Sequence, residues 1–186
     1  LDVFVCHFPS RSGGAKESEP YRLYVAHILR TEVDSIMNIR SHPQAIIMGD
    51  FNDYPTNQSI LKILKAEAPP VKTNDLASTT DSANASTVTP SSLKLYHLLA
   101  RKAKSKNFGS YKFRGEWGLL DHLIVSGTLL NQSNHFFTNV CLLPFLLKDD
   151  EKYGDKEPFR TYKGMKYQGG ISDHLPIYTD FELIVY

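Results

Sequence analysis

The chain is 186 residues long and carries 21 Lys plus Arg against 20 Asp plus Glu, a formal net charge of +1. That near-balance argues against a polybasic surface built for bulk binding of nucleic acid or membrane. With 41% hydrophobic and 22% charged residues, the composition is globular, and the length suits one domain or a large part of a bigger one. The longest apolar run, Val140 to Leu147, is interrupted by Pro144. It falls far short of the roughly 20 residues of a membrane-spanning helix, so the reading is a soluble chain without a transmembrane segment.

Leu1 to Phe8 is rich in Val and Phe and alternates, which predicts a strand ending at Pro9 with His7 near its C-terminal end. The chain opens directly in this run, without a polar lead-in, and so reads as a piece of something longer. After a Gly, Ser and charge loop, Ser18 is positioned to cap a helix with Pro20 in its first turn. The predicted helix runs to about Arg40, with an apolar stripe of Tyr21, Val25, Ile28, Leu29, Val33 and Ile36. Ala45 to Met48 predicts a strand covered on both faces, ending at Gly49-Asp50. A second helix is expected from Thr56 or Asn57, burying Ile60, Leu61, Ile63 and Leu64, until Pro69-Pro70 stops it.

Thr73 to Pro90 reads as a long polar surface excursion. Ser91 is then expected to cap a short helix through Leu93, Leu95, Leu98 and Leu99, with a basic end from Arg101 to Lys106. Strands are predicted at Tyr111 to Arg114, Leu119 to Val125, Asn134 to Leu143 and Leu175 to Tyr186, with a charged, Tyr-rich loop from Lys148 to Tyr167. No internal repeat and no linker divides the chain, so residues 1–186 form one unit. Cys6 and Cys141 lie in apolar stretches and read as small hydrophobes; they imply no disulfide, which leaves the compartment open.

Acid, amide and imidazole side chains recur where the apolar strands end or begin. His7 leaves the first, Asp50 and Asn52 leave the second, Asp121 interrupts a third, and Asp173-His174 opens the last. Strand ends hold short polar side chains rigidly, so convergence on a site is expected. Each element alone has a plainer reading. Gly49 to Pro55 serves equally well as an Asx turn before a helix, and Ser172-Asp173-His174 as a capping turn. Asp121, among Leu119, Leu120, Leu123 and Ile124, needs a salt-bridge partner, a ladder edge or a metal to offset desolvation.

The combination, in order, is His7; Gly49-Asp50-Phe51-Asn52; Leu120-Asp121-His122; and Ser172-Asp173-His174-Leu175-Pro176. It resembles the endonuclease/exonuclease/phosphatase superfamily, the deoxyribonuclease I-like metal-dependent phosphohydrolases, over residues 4 to 182. His7 to Arg11, followed by Gly13-Gly14 and Arg22, looks like a bacterial, Bacteroidetes-type branch. The resemblance implies an α/β fold, the deoxyribonuclease I-like four-layer sandwich. The Asn and the metal-binding Glu that the superfamily carries ahead of the His-bearing strand have no room here, so a partial domain lacking one metal ligand is expected.

The resemblance further implies roles for individual residues. Asp173 would hold Mg²⁺ or Mn²⁺, Asp50 would orient or deprotonate the attacking water, and Asn52 would position it and contact the phosphate. His174, oriented by Asp121, would meet a phosphate oxygen, and His7 would donate to the phosphate or leaving group. Arg11 and Arg22 are candidate phosphate contacts, with solvated surface charge the plainer reading for both. Oxygen donors without a cysteine cluster suit a hard ion. The expected partner is a phosphoester, with nucleic acid, lipid headgroup and small molecule all open. The alternative reading is a noncatalytic binding or assembly module that self-associates through exposed sheet edges.

Overall fold

A computed structural model describes residues 1–70, 91 and 93–183. In chain order its elements are β1 (Asp2–His7), α1 (Glu19–Ile39), β2 (Ala45–Asp50), a π-helical turn (Ser59–Leu64), β3 (Ala66–Glu67), β4 (Leu95–His97), β5 (Tyr111–Phe113), β6 (Glu116–Gly118), β7 (Asp121–Ser126), α2 (Gly127–Gln132) and β8 (Ser133–Val140). The chain continues through β9 (Leu147–Asp149), β10 (Lys156–Pro158), β11 (Tyr162–Lys163), β12 (Lys166–Tyr167) and β13 (Ile177–Leu183).

A five-stranded sheet in the order β1-β2-β7-β4-β3 is the spine. β1 lies parallel to β2, and β7 antiparallel to both β2 and β4. One face carries α1 and the π-helical turn over a core of Phe8, Ala26, Leu29, Val33, Ile47, Phe51, Ile60, Leu64 and Ile124. The other face packs Ile46, Leu123 and Val125 against Phe136, Ile177 and Phe181 of the antiparallel pair β8–β13. Polar contacts fasten α1 to its neighbours: Arg40, at its C-terminal end, pairs with Asp2 of β1 at 2.9 Å, and Arg30 Nη1 donates to the carbonyl of Leu64 in the π-helical turn at 2.8 Å. These layers are a helix layer, a sheet and a second, narrower sheet. No helix among the described residues is long and apolar enough to cross a membrane.

Several expectations from the sequence are corrected. The buried stripe of α1 is Arg22, Ala26, Leu29, Val33 and Met37, while Tyr21 and Ile28 face outward. Arg22, the polar member of this stripe, has a buried acidic partner, described below. Ser18 makes no side-chain cap, since its hydroxyl donates to the Gly14 carbonyl at 2.6 Å and accepts from Arg22. The helix expected at Leu93 to Leu99 is instead β4, where Leu95, Tyr96 and His97 are all buried inside the sheet between β3 and β7. Tertiary pairing there overrides the leucine spacing.

The helix after Asn57 lasts one π-helical turn and ends at Lys65, whose φ of 54° reverses the chain into β3. Short strands β9 to β12 form two hairpins inside the expected Lys148 to Tyr167 loop. β8 stops at Val140, short of Leu143. The Thr73 to Pro90 excursion and the last residues of the final strand lie outside the described residues. Cys6 and Cys141 are free and half-buried, and burial pushes the Cys6 thiol up to about 11.

Candidate active site

The strand register builds the site. His7 is paired with Asp50 across β1–β2, and Asp50 with Asp121 across β2–β7, so three polar residues form a row over three adjacent strands. The end of one strand, the end of its parallel neighbour and the start of the antiparallel third coincide, which is why residues far apart in sequence meet. Gly49 makes the row possible. Its φ is +133°, and a Cβ there would lie 1.9 Å from the Cys6 carbonyl oxygen on β1, which only glycine avoids.

His174 closes the row. A bridge between Tyr111 and His174, together with the Leu175 N–H donating to the Ser110 carbonyl at 2.7 Å, brings the segment before β13 alongside β5. His174 Nδ1 then stands 2.7 Å from Asp121 Oδ2. The same carboxylate oxygen accepts the Ser110 hydroxyl at 2.5 Å. The Tyr111 ring packs on the imidazole at 4.9 Å between centroids, and the Arg160 guanidinium lies 5.2 Å above Tyr111. Asp50, Asp121 and His174 together present ligand atoms all within 4.8 Å of one another.

The loop after β2 is held as firmly. Asn52 adopts φ 50°, in the left-handed region that Asn tolerates, and its backbone N–H donates to Asp50 Oδ1 at 2.8 Å. Its side-chain amide donates to the Phe8 carbonyl at 3.0 Å and to Asp50 Oδ2 at 3.1 Å. The Phe51 ring fills the space between Phe8 and His122, and the Phe51 N–H donates to the Leu120 carbonyl at 2.9 Å. Burying such a ring stabilises the loop by about 1.5–3 kcal/mol.

Electrostatics follow from this packing. Burial raises the Asp50 carboxyl above its ordinary value, against the Asn52 N–H that favours the anion. For His174 burial disfavours the cation, but the Asp121 hydrogen bond and the charges of Asp121, Asp50 and Asp173 outweigh it and raise its pKa. A basic imidazole beside a carboxyl with raised proton affinity is a pair able to hold and exchange a proton.

The other predicted residues are placed as follows. His7 stands at the rim with its side chain 77% exposed, its Nε2 3.7 Å from Asp50 Oδ2. Asp173 is exposed next to the cluster, in a turn where the His174 N–H donates to the Ser172 hydroxyl at 3.1 Å. The Arg11 guanidinium lies over the Tyr54 ring at 4.9 Å. Arg22 is a correction: it is 1% exposed and forms a 2.8 Å ion pair with Asp53, itself 2% exposed. It also donates to the Ser18 hydroxyl and the Ala15 carbonyl, so its guanidinium is used inside the fold and is not presented to a phosphate.

Ser110, Tyr111, Asp53 and His97 escaped the sequence reading. Ser110 and Tyr111 reach the His174–Asp121 pair through a β-bridge that no local pattern announces, and His97 sits among leucines at helical spacing. Only Asp53 carried a signal, as the last acid of Gly-Asp-Phe-Asn-Asp.

A rigid α/β layer thus gathers two carboxylates and an imidazole at neighbouring strand ends, with an amide beside them. The chain belongs to the Endonuclease/Exonuclease/phosphatase family, whose pattern runs through residues 1–183, and its fold is a deoxyribonuclease I-like α/β sandwich. No curated protein matches it in sequence.

Solved structures similar to it include a mannosyl-6-phosphatase of Bacteroides thetaiotaomicron, at 14% identity and a TM-score of 0.47, with 97% of this chain covering 51% of that one. Beta toxin of Staphylococcus aureus is similar at 17% identity and a TM-score of 0.49, covering 97% and 52%. The human Nocturnin catalytic domain is similar at 19% and 0.41, covering 96% and 46%. The chain spans about half the length of these solved relatives.

Proposed function

We propose that the chain carries the hydrolytic part of a divalent-metal-dependent phosphoesterase. The observation that supports this most is the convergence of Asp50, Asp121 and His174, with the 2.7 Å His174–Asp121 contact at its centre. Asp121 fixes the ring by accepting from Nδ1, which leaves Nε2 to meet a phosphate oxygen or the leaving group. Asp50, with its proton affinity raised by burial, orients or deprotonates the attacking water. Asn52, locked by Phe8 and Asp50, positions that water. His7 and Arg11, at the rim, supply donors to the substrate anion.

The donors fit a hard ion in kind: carboxylates, an amide and imidazole gather here, and no thiolate is among the clustered groups. Asp173, exposed at the edge, is the residue that would hold Mg²⁺ or Mn²⁺, together with the Glu that the superfamily resemblance implies. When bound, the ion would neutralise charge on the phosphate.

The test is hydrolysis of bis-p-nitrophenyl phosphate and of p-nitrophenyl phosphate with Mg²⁺ or Mn²⁺, by this chain and by a form extended upstream. We expect turnover at least in the extended form, abolished by Asp50→Ala or His174→Ala with the fold retained. Near-normal turnover in either variant overturns the assignment.

The noncatalytic alternative is favoured by one observation. β1 is an edge strand whose Val3 and Val5 are 51% and 76% exposed, a surface suited to pairing with a second copy. A concentration-dependent dimer in sedimentation velocity, without turnover in any form, would support it.

A further inference from the structure

A chain of buried polar groups runs under the Asp50–Asn52 loop, and the proposed chemistry does not use it. His97 on β4 and His122 on β7 are both fully buried, with His97 Nε2 2.8 Å from His122 Nδ1. The Leu99 N–H donates to His97 Nδ1 at 3.1 Å. His97 Nδ1 is therefore an acceptor, and the proton of the neutral ring sits on Nε2, aimed at His122 Nδ1. That in turn places the His122 proton on Nε2, where it donates to the Asp53 carbonyl at 2.8 Å. Donor and acceptor alternate along the whole chain, so the direction of every bond is set by the backbone N–H at one end.

The far end of this relay is the catalytic loop. Asp53 directly follows Asn52 and is gripped from two sides. His122 takes its carbonyl, while its carboxylate meets Arg22 at 2.8 Å and the Ser59 hydroxyl at 2.7 Å. The His122 ring also supports Phe51, at 5.0 Å between centroids. The residue that holds Asn52 in its left-handed turn from below is thus itself held by His97.

We propose that His97 is a positioning residue for the Asp50–Asn52 loop, acting through the ring of His122 on the Asp53 carbonyl. The proposal rests on the phosphoesterase reading only for its consequence in turnover; the positioning itself is read without activity. A Gln at position 97 places an amide donor near the site of Nε2, whereas an Asn reaches only as far as Nδ1. Gln therefore keeps the donor to His122, and Asn keeps only the contact with Leu99.

The experiment is amide hydrogen exchange by NMR on this chain, wild type against His97→Gln and His97→Asn, with long-range ¹⁵N spectra of the imidazoles. The Asn52 N–H should exchange about tenfold faster in His97→Asn while the β7 amides of Leu123 and Val125 keep their protection; His97→Gln should stay near wild type. His122 should carry its proton on Nε2 in the wild type and in His97→Gln. Equal Asn52 protection in the two variants, or loss spread evenly over the sheet in both, overturns the proposal. A wild-type His122 protonated on Nδ1 overturns it without any variant. In the extended protein, His97→Asn should lower kcat with KM little changed. A loop that responds in a protein that hydrolyses nothing would sink the hydrolase reading and leave the relay standing.

Discussion

The two buried histidines make the acid stability of the protein calculable in sign and in rough size. Burial holds His122 down to about 4 from an ordinary 6.5, and drives His97 well below its ordinary value too. For His122 alone, a depression of that size corresponds to about 3 kcal/mol, at about 1.36 kcal/mol per pKa unit. A histidine with a lowered folded pKa contributes stability that is present above the unfolded value and is lost as the pH falls through the folded one. The loss therefore falls between about pH 6.5 and 4.

Two groups work in the opposite direction, Asp50 toward the lower end of this range and His174 above its upper end. Asp50 and His174 both have raised folded values, so the folded state binds their protons more tightly as acid is added. The Asp50→Asn, His174→Gln double variant removes that opposition. Urea unfolding followed by circular dichroism at pH 7, 6, 5 and 4 should show the double variant losing at least about 3 kcal/mol over the series, and the wild type losing less. A double variant whose stability stays level from pH 7 to 4, or a folded-state His122 that titrates near 6.5 by NMR, would refute the reasoning.

Other substitutions probe separate parts of the argument. Asp121→Asn removes the carboxylate that orients His174 while keeping the shape; activity of the extended protein should fall about 10²- to 10⁴-fold with little change in KM, measured on bis-p-nitrophenyl phosphate. Arg22→Ala leaves the Asp53 carboxylate buried with only Ser59 and should destabilise by about 3–5 kcal/mol in urea unfolding, whereas loss of a solvated surface arginine would cost well under 1 kcal/mol. Gly49→Ala puts a methyl group into the Cys6 carbonyl of β1. We expect little folded protein by circular dichroism, and a stable variant would show that β1 and β2 can separate at that point.

What the sequence made legible was the material inside single elements. The apolar runs Asp2–His7, Ala45–Asp50 and Asp121–Ser126 are strands as expected, because each is short, branched and bounded by turn residues, and the polar residues at their ends are where the register brings them together. Contacts that depend on pairing were not legible. Leu95 to His97 sits among leucines at helical spacing, and only its neighbours β3 and β7 make it a strand. Arg22 lies on a charged helix and looks solvated until Asp53 is seen facing it from a loop 31 positions on. Ser110 donates to Asp121 because β5 meets the segment before β13, a long-range crossing that no spacing in the chain records.

The arrangement around β7 explains how one strand serves both halves of the site. Successive side chains on a strand point to opposite faces. Asp121 faces the polar cluster, where it takes His174 and Ser110, and the next residue, His122, faces the layer beneath, where it takes the Asp53 carbonyl and supports Phe51. A one-residue slip of β7 would therefore strip the His174 imidazole of its carboxylate partner and the Asp50–Asn52 loop of its support together. That register is in turn set by Asp50 opposite Asp121 and Ile47 opposite Ile124, the latter pair fully buried under α1. The apolar core and the polar site are thus fixed by the same strand pairing, and a variant that loosens the first should disorder the second.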